Sequence, residues 1–243
     1  MKWIGLTLMG LLFLSQSAAA SSTWSMLGLT TTPQNAPQVV AATDKFMNSA
    51  IGKEFPGRLL LQASVANGTN PATHSFVPLF KSGADREAYV QKLQGNPAWT
   101  DYQSTMARIA QPVSQVMFRT LKSWGEVVDT DQVWVGSAFA VENPAAFVAA
   151  IDKFMASATG KKFPGQVHLS GVLAGGISPI SHLVSIGYAS EAEMETWMDS
   201  LMGNADWAAC LEAARPAAKS LGASLGRNVK TWGSVPAADL AAP

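Results

Sequence analysis

Hydrophobic and polar positions along this chain follow one schedule twice. Trp24 to Thr31, and later Gln132 to Val141, read as a first strand. Val39, Val40, Phe46 and Met47 then recur at helical spacing, as do Phe147, Val148, Ile151, Phe154 and Met155. Asn35 and Asn143 are placed to cap these helices, with Pro37 or Pro144 in the first turn, where a missing N–H costs little. Gly52 and Gly160 are suitable stops, and Pro56 and Pro164 bar continuation.

Strict alternation follows at Arg58 to Val65 and at Gln166 to Leu173. Leu59, Leu61, Ala63 and Val65 share one face, matched by Val167, Leu169, Gly171 and Leu173. The opposite face carries Arg58, Gln62 and Ser64 in one case and Gln166, His168 and Ser170 in the other. Asn67-Gly68 and Gly175-Gly176 mark turns into a further strand at Thr73 to Phe80 and Ser181 to Tyr188. A helix begins after Ser82 or Ser190, and a shorter one from Pro97 or Ala205. The last strand is Gln115 to Trp124, or Ala223 to Trp232.

The two passes are copies. Asp44-Lys45-Phe46-Met47 returns as Asp152-Lys153-Phe154-Met155, Phe55-Pro56-Gly57 as Phe163-Pro164-Gly165, and Lys122 with Trp124-Gly125 as Lys230 with Trp232-Gly233. Each recurrence lies 108 positions on, from Asp44 to Asp152 and from Trp124 to Trp232, which predicts copies without insertion or deletion. A repeat this long is a domain-sized module rather than a solenoid unit. The boundaries expected are a leader over 1–20, a first module over 21–131 and a second over 132–243. No Gly/Ser or Pro linker separates them at Asp129-Thr130-Asp131, so the halves should pack as one body. Each module reads β-α-β-β-α-β, a ferredoxin-like α+β order with helices on one face of the sheet. The uncovered face calls for the second module, packed sheet against sheet.

Composition narrows the setting. Lys2 precedes an apolar run from Ile4 to Leu14, and Ser17-Ala18-Ala19-Ala20 offers small residues for cleavage. This is the pattern of a secretory signal peptide cut near Ala20, so a periplasmic or secreted protein is expected, with no membrane span later in the chain. Basic and acidic residues number 17 each, without a basic block, which argues against nucleic acid as partner. The lone Cys210 excludes an intramolecular disulfide, and it aligns with Tyr102 as a buried helix residue.

The element order, the Asn-x-x-Trp of Asn96 to Trp99 and of Asn204 to Trp207, and the tandem arrangement resemble the dimeric α+β barrel superfamily. That superfamily includes antibiotic-biosynthesis monooxygenase-like and stress-responsive barrels. The resemblance implies two modules enclosing a pseudo-twofold barrel, an intramolecular pseudo-dimer supplied here by one chain. It also implies a range of functions: cofactor-independent oxygenation, haem binding or breakdown, and isomerase-like chemistry. None of these transfers by fold alone.

Candidate site residues come from the comparison of copies. His74 and His182 occupy equivalent strand starts, where a neutral His could act as acid or base or bind haem iron, or could simply bond a strand end. His168 stands where the first copy has Leu60. If the hairpin register put it on one face with His182, the pair would form half a metal site, though no third ligand is evident and no metal is expected. Arg119 and Arg227 lie within the last strands, where a cation must be paired or must hold an anionic ligand, Glu87 and Glu195 being the expected partners. Lys122 and Lys230 should be solvated, and Trp99 and Trp207 should buttress a helix.

Gln62, Ser64, Ser170 and His168, with nearby aromatics, are the expected lining of an apolar cavity for a small apolar or amphipathic molecule. The leading expectation is therefore an exported small-molecule-binding barrel. The alternatives are a monooxygenase-like or haem-handling enzyme using His74 and His182, and a structural or interaction module of the envelope. Because His168 and Cys210 have no counterparts, the second half is the place to look for a site.

Overall fold

A computed structural model describes residues 22–176 and 179–241, so the leader expected over 1–20 lies outside the described residues. The first module runs β1 (Thr23–Thr30), α1 (Ala36–Met47), α2 (Ala50–Lys53), β2 (Gly57–Ala66), β3 (His74–Phe80), α3 (Gly83–Leu93), α4 (Pro97–Ile109) and β4 (Gln111–Gly125). The second runs β5 (Val133–Val141), α5 (Pro144–Ala156), a 3-10 turn (Gly160–Lys162), β6 (Gln166–Gly175), β7 (His182–Tyr188), α6 (Glu191–Leu201), α7 (Ala205–Ala214) and β8 (Ala218–Trp232). A final 3-10 turn spans Ala237–Leu240.

Helix starts follow their caps. The Ser82 and Ser190 hydroxyls accept from Asp85 N and Glu193 N, and the Asn96 and Asn204 carbonyls accept from Trp99 N and Trp207 N. Asn143 caps α5 in the same way, whereas the Asn35 side chain makes no capping bond. Gly52 and Gly160 are not the stops. The helices end earlier, at Met47 and Ala156, and Ser49 and Ser157 then recap a short turn by accepting from Gly52 N and Gly160 N. The helix from Pro97 is 13 residues against 11 for α3, so it is not the shorter one.

Eight antiparallel strands close into a barrel in the order β1-β3-β2-β8-β5-β7-β6-β4. The sheets do not merely face one another: β8 pairs with β2, and β4 pairs with β6, so edges join and the ring of eight strands closes. That double duty explains why β4 and β8 are 15 residues each, longer than the sequence pattern suggests. Outside the barrel, helices pack on Leu29, Leu61, Phe76 and Phe80 in one half and on Val167, Leu169 and Val184 in the other.

The repeated motifs lie on the two seams. Trp124 Nε1 donates to Asp152 Oδ1 at 2.8 Å and Lys122 reaches the same carboxylate at 2.6 Å. Trp232 Nε1 donates to Asp44 at 2.7 Å with Lys230 at 2.6 Å, so each clasp joins one module's last strand to the other's first helix. Lys122 and Lys230 are therefore paired, not free in solvent. Gly125 and Gly233, at φ +81° and +94°, sit against the carbonyls of Gly165 and Gly57, where a Cβ would collide. Both halves of the Phe-Pro-Gly and Trp-Gly repeats thus meet across a seam.

One expectation is corrected by register. Trp24 pairs with Leu79 and Phe118, while Trp134 pairs with Gly187 and Gly226. β1 therefore corresponds to β5 at a shift of 110, although β3 and β4 correspond to β7 and β8 at 108. The stretch from Trp24 to the start of α1 is two residues longer than that from Trp134 to the start of α5, so Trp24 and Trp134 are equivalent.

A candidate ligand site inside the barrel

Alternate residues of every strand point inward, and they differ between the halves. In the first half Trp24 stacks on Phe118 with centroids 4.3 Å apart, and Leu60, Val77 and Leu183 pack around them. In the second half the residue across from Trp134 is Gly226, and Gly136 stands where the first half has Met26. Removing two side chains at equivalent positions leaves an interior cavity of about 160 Å³. Its walls include Trp24, Leu60, Val77 and Leu183 on the apolar side and Gln62, Ser64, His168 and Asn228 on the polar side. A dry apolar cavity of roughly this size is known to hold a benzene-sized molecule.

A chain of hydrogen bonds runs beside it. Gln166 is 1% exposed; its Nε2 donates to Asp131 Oδ2 at 2.7 Å and to the Val128 carbonyl at 3.0 Å. Its Oε1 must then accept, from His168 Nε2 at 2.9 Å, which leaves His168 Nδ1 to accept from the Ser123 hydroxyl at 2.8 Å. His168 is thereby a neutral imidazole of defined tautomer, with its ring nearly parallel to Trp134. Burial pushes its pKa down to about 4. Burial also raises the Asp131 carboxyl, opposed by the Gln166 hydrogen bond and reinforced by Glu193. The Asp131 carbonyl accepts from Asn228, whose own carbonyl accepts from Gln62 at 3.1 Å.

One stretch of wall is made by the chain segments that follow each module. Arg58 is paired with Asp129, which also accepts from Ala237 N at 3.0 Å. Lys81 holds Asp239 at 2.9 Å, and the buried Leu240 reaches the cavity. These two ion pairs tie the segments to the barrel.

The interior face matches the expected lining at Gln62, Ser64 and His168. Ser170 also points inward, fully buried, but its hydroxyl accepts from Trp24 Nε1 at 3.2 Å and does not border the cavity. His74 and His182 fall on the other face. They pair with Leu29 and Phe139, which pack under the helices, and each Nδ1 bonds the preceding hydroxyl, Thr73 at 3.1 Å and Ser181 at 2.9 Å. His168 and His182 therefore point to opposite faces, since His168 pairs with Ser185 and His182 with Gly171. Arg119 and Arg227 project outside the barrel and are exposed, Arg227 pairing with Glu191 rather than Glu195. Strand parity places them there, one residue away from the inward Phe118 and Gly226.

Sequence reasoning missed Trp134, Asn228, Asp131 and the two glycines as site residues. A search allowing a second offset would have aligned Trp134 with Trp24.

A closed α+β barrel with a cavity among its inward-facing residues is the class that fold and site define. No family model and no curated protein matches the chain. Among solved structures, a protein provisionally described as a monooxygenase from Lactobacillus acidophilus NCFM aligns with TM-score 0.59 and 13% identity over 89% of this chain and 99% of that one. An anthrone oxidase-like protein aligns with TM-score 0.57 and 15% identity, over 91% and 95%. A mutant chlorite dismutase from Candidatus Nitrospira defluvii gives TM-score 0.52 and 7% identity, over 87% and 92%. The fold is that of the dimeric α+β barrel, two ferredoxin-like modules closed on one another. Those chains, like this one, span both modules.

Haem asks for an axial ligand and room. Inside the barrel the histidine among the described residues is His168, and both its ring nitrogens are hydrogen-bonded. The cavity is also smaller than the roughly 300–1,000 Å³ usual for ligand pockets. This interior does not suit haem. Among the described residues no group of three His, Cys, Asp or Glu could hold a metal ion, and no helix is long and apolar enough to cross a membrane.

Proposed function

We propose that this chain is an exported protein that binds a small apolar or amphipathic molecule inside its barrel. The observation that carries the reading is the space left by Gly226 opposite Trp134 and by Gly136 two residues on from Trp134 in β5, at the positions that Phe118 and Met26 fill in the other half. An apolar wall facing a few fixed polar groups is the usual make-up of a small-molecule site. A thermal-shift screen of ring-sized compounds tests it, with Gly226→Phe as the filled control. Hits that raise the melting temperature of the wild type but not of the variant support binding in the cavity. A screen without such hits removes the reading. Export follows from the leader pattern over 1–20, and N-terminal sequencing of protein recovered outside the cytoplasm tests it.

A second reading is monooxygenase-like turnover without a cofactor. It draws on the neighbours described as a monooxygenase and an anthrone oxidase-like protein, and on the neutral His168 that borders the cavity. Oxygen uptake with an oxidisable phenol, abolished by His168→Leu, is its test. Hemin titration checks the haem version, and no Soret shift is expected.

A further inference from the structure

The two equivalent tryptophans differ in one bond. Trp24 Nε1 donates to Ser170, a residue of the opposite module. The residue equivalent to Ser170 is Gln62, so pseudo-symmetry would have Trp134 donate to Gln62. Gln62 instead turns its amide to Asn228, donating at 3.1 Å. Among the described residues Trp134 Nε1 is left buried with no hydrogen-bond partner, on the wall of the cavity. A buried indole N–H without an acceptor is costly, because it has given up water and gained nothing in return.

The charges around the cavity are already answered. Arg58 is held by Asp129, His168 is a neutral imidazole bonded at both ring nitrogens, Asp131 accepts from Gln166, and Asn228 is engaged at both ends of its amide. An anionic ligand would therefore find Arg58 already taken and would have to shed its hydration for nothing. The apolar walls from Trp24, Leu60, Val77 and Leu183 favour a hydrocarbon body.

We infer that the cavity takes a neutral molecule about the size of one six-membered ring, carrying a hydrogen-bond acceptor oxygen that receives the Trp134 indole N–H. This rests on the proposed binding function and names the chemistry of its ligand. Size follows from the cavity volume of about 160 Å³, neutrality from the apolar walls and the pairing of Arg58, and the acceptor from the orphaned donor.

Three probes test it on the mature protein: cyclohexanone, methylenecyclohexane of the same shape without the oxygen, and cyclohexanecarboxylate. The Trp134 indole resonance, assigned through bonds in the unaltered protein, should move downfield with cyclohexanone and not with the hydrocarbon. Trp134→Phe should weaken cyclohexanone about fivefold, the worth of one ordinary hydrogen bond, and leave methylenecyclohexane unchanged. Retained hydrocarbon binding shows that the variant is folded. An unmoved indole resonance, or equal effects of the substitution on both neutral probes, overturns the acceptor assignment while the binding function stands. Carboxylate binding as tight as the ketone overturns the neutral-ligand assignment. If none of the probes binds, the inference falls, and the broader screen against Gly226→Phe decides whether the binding function falls with it.

Discussion

Trp134 lies directly across the ladder from Gly226, where its equivalent Trp24 lies across from and stacks on Phe118. The same fold position is thus packed solid in one half and open in the other. Interiors are otherwise close-packed, and a void forfeits the contacts that would line it. The two copies share a fold, and the aromatic contact present in only one of them makes the interior unequal.

Gly226→Phe should close the cavity. A Cβ at Gly226 meets nothing nearer than 3.6 Å, so the first atom enters without strain. Filling should raise stability by about 1 kcal/mol, the scale of cavity-filling substitutions, and abolish ring-sized ligand binding. Urea denaturation and the thermal-shift screen read the two effects.

The seam clasps should matter more than surface ion pairs. Asp44→Ala leaves the Trp232 indole and Lys230 without their acceptor, and Asp152→Ala does the same for Trp124 and Lys122. Each should cost about 1–2 kcal/mol in denaturant unfolding, as for hydrogen bonds to a charged group that is partly exposed. The clasps share no partner, so the double variant should lose the sum.

Acid should destabilise the barrel through His168. Its folded pKa is depressed from 6.5 to about 4, so the unfolded chain binds the proton more readily. The stabilisation is complete above pH 6.5 and is lost as pH falls towards 4, by up to about 3 kcal/mol. His74 and His182 are lowered too and act in the same direction, while Asp131, whose pKa is raised, opposes them. His168→Leu, the residue of the first half, should therefore flatten part of the slope between pH 4 and 6.5. Equal slopes for wild type and variant would falsify this.

The segment after β8 should behave as part of the wall. Leu240 is 4% exposed, and Leu240→Ala should cost about 2 kcal/mol and speed exchange of a bound probe. Lys81→Ala breaks only the exposed pair with Asp239 and should cost under about 0.5 kcal/mol by the same measurement.

Alternation alone was enough to put Gln62, Ser64, His168 and Ser170 on one side, because a strand's side chains change face at every residue. It could not say that Ser170 would be consumed by Trp24. His74 and His182 occupy equivalent positions of the repeat, yet their parity with Leu29 and Phe139 turns them to the helix side. Arg119 and Arg227 mislead for the same reason. Asp131 looked like a junction, and only the return of Gln166 and Asn228 across the barrel makes it a buried hydrogen-bond hub.

By itself the sequence determined the module, its β-α-β-β-α-β order, its duplication and the inward polar face. These rest on local periodicity, capping and turn chemistry. Tertiary structure decided how the halves close, which repeat motifs become clasps between them, and that Trp134 rather than the His74 and His182 pair borders the cavity. Those outcomes depend on strand register across the seams and on a two-residue difference in one connection. Register leaves no local signal, because it is set by partners far along the chain, as with Trp124 against Val167 and Leu59 against Trp232, and the two-residue difference shows only when the copies are aligned at two offsets.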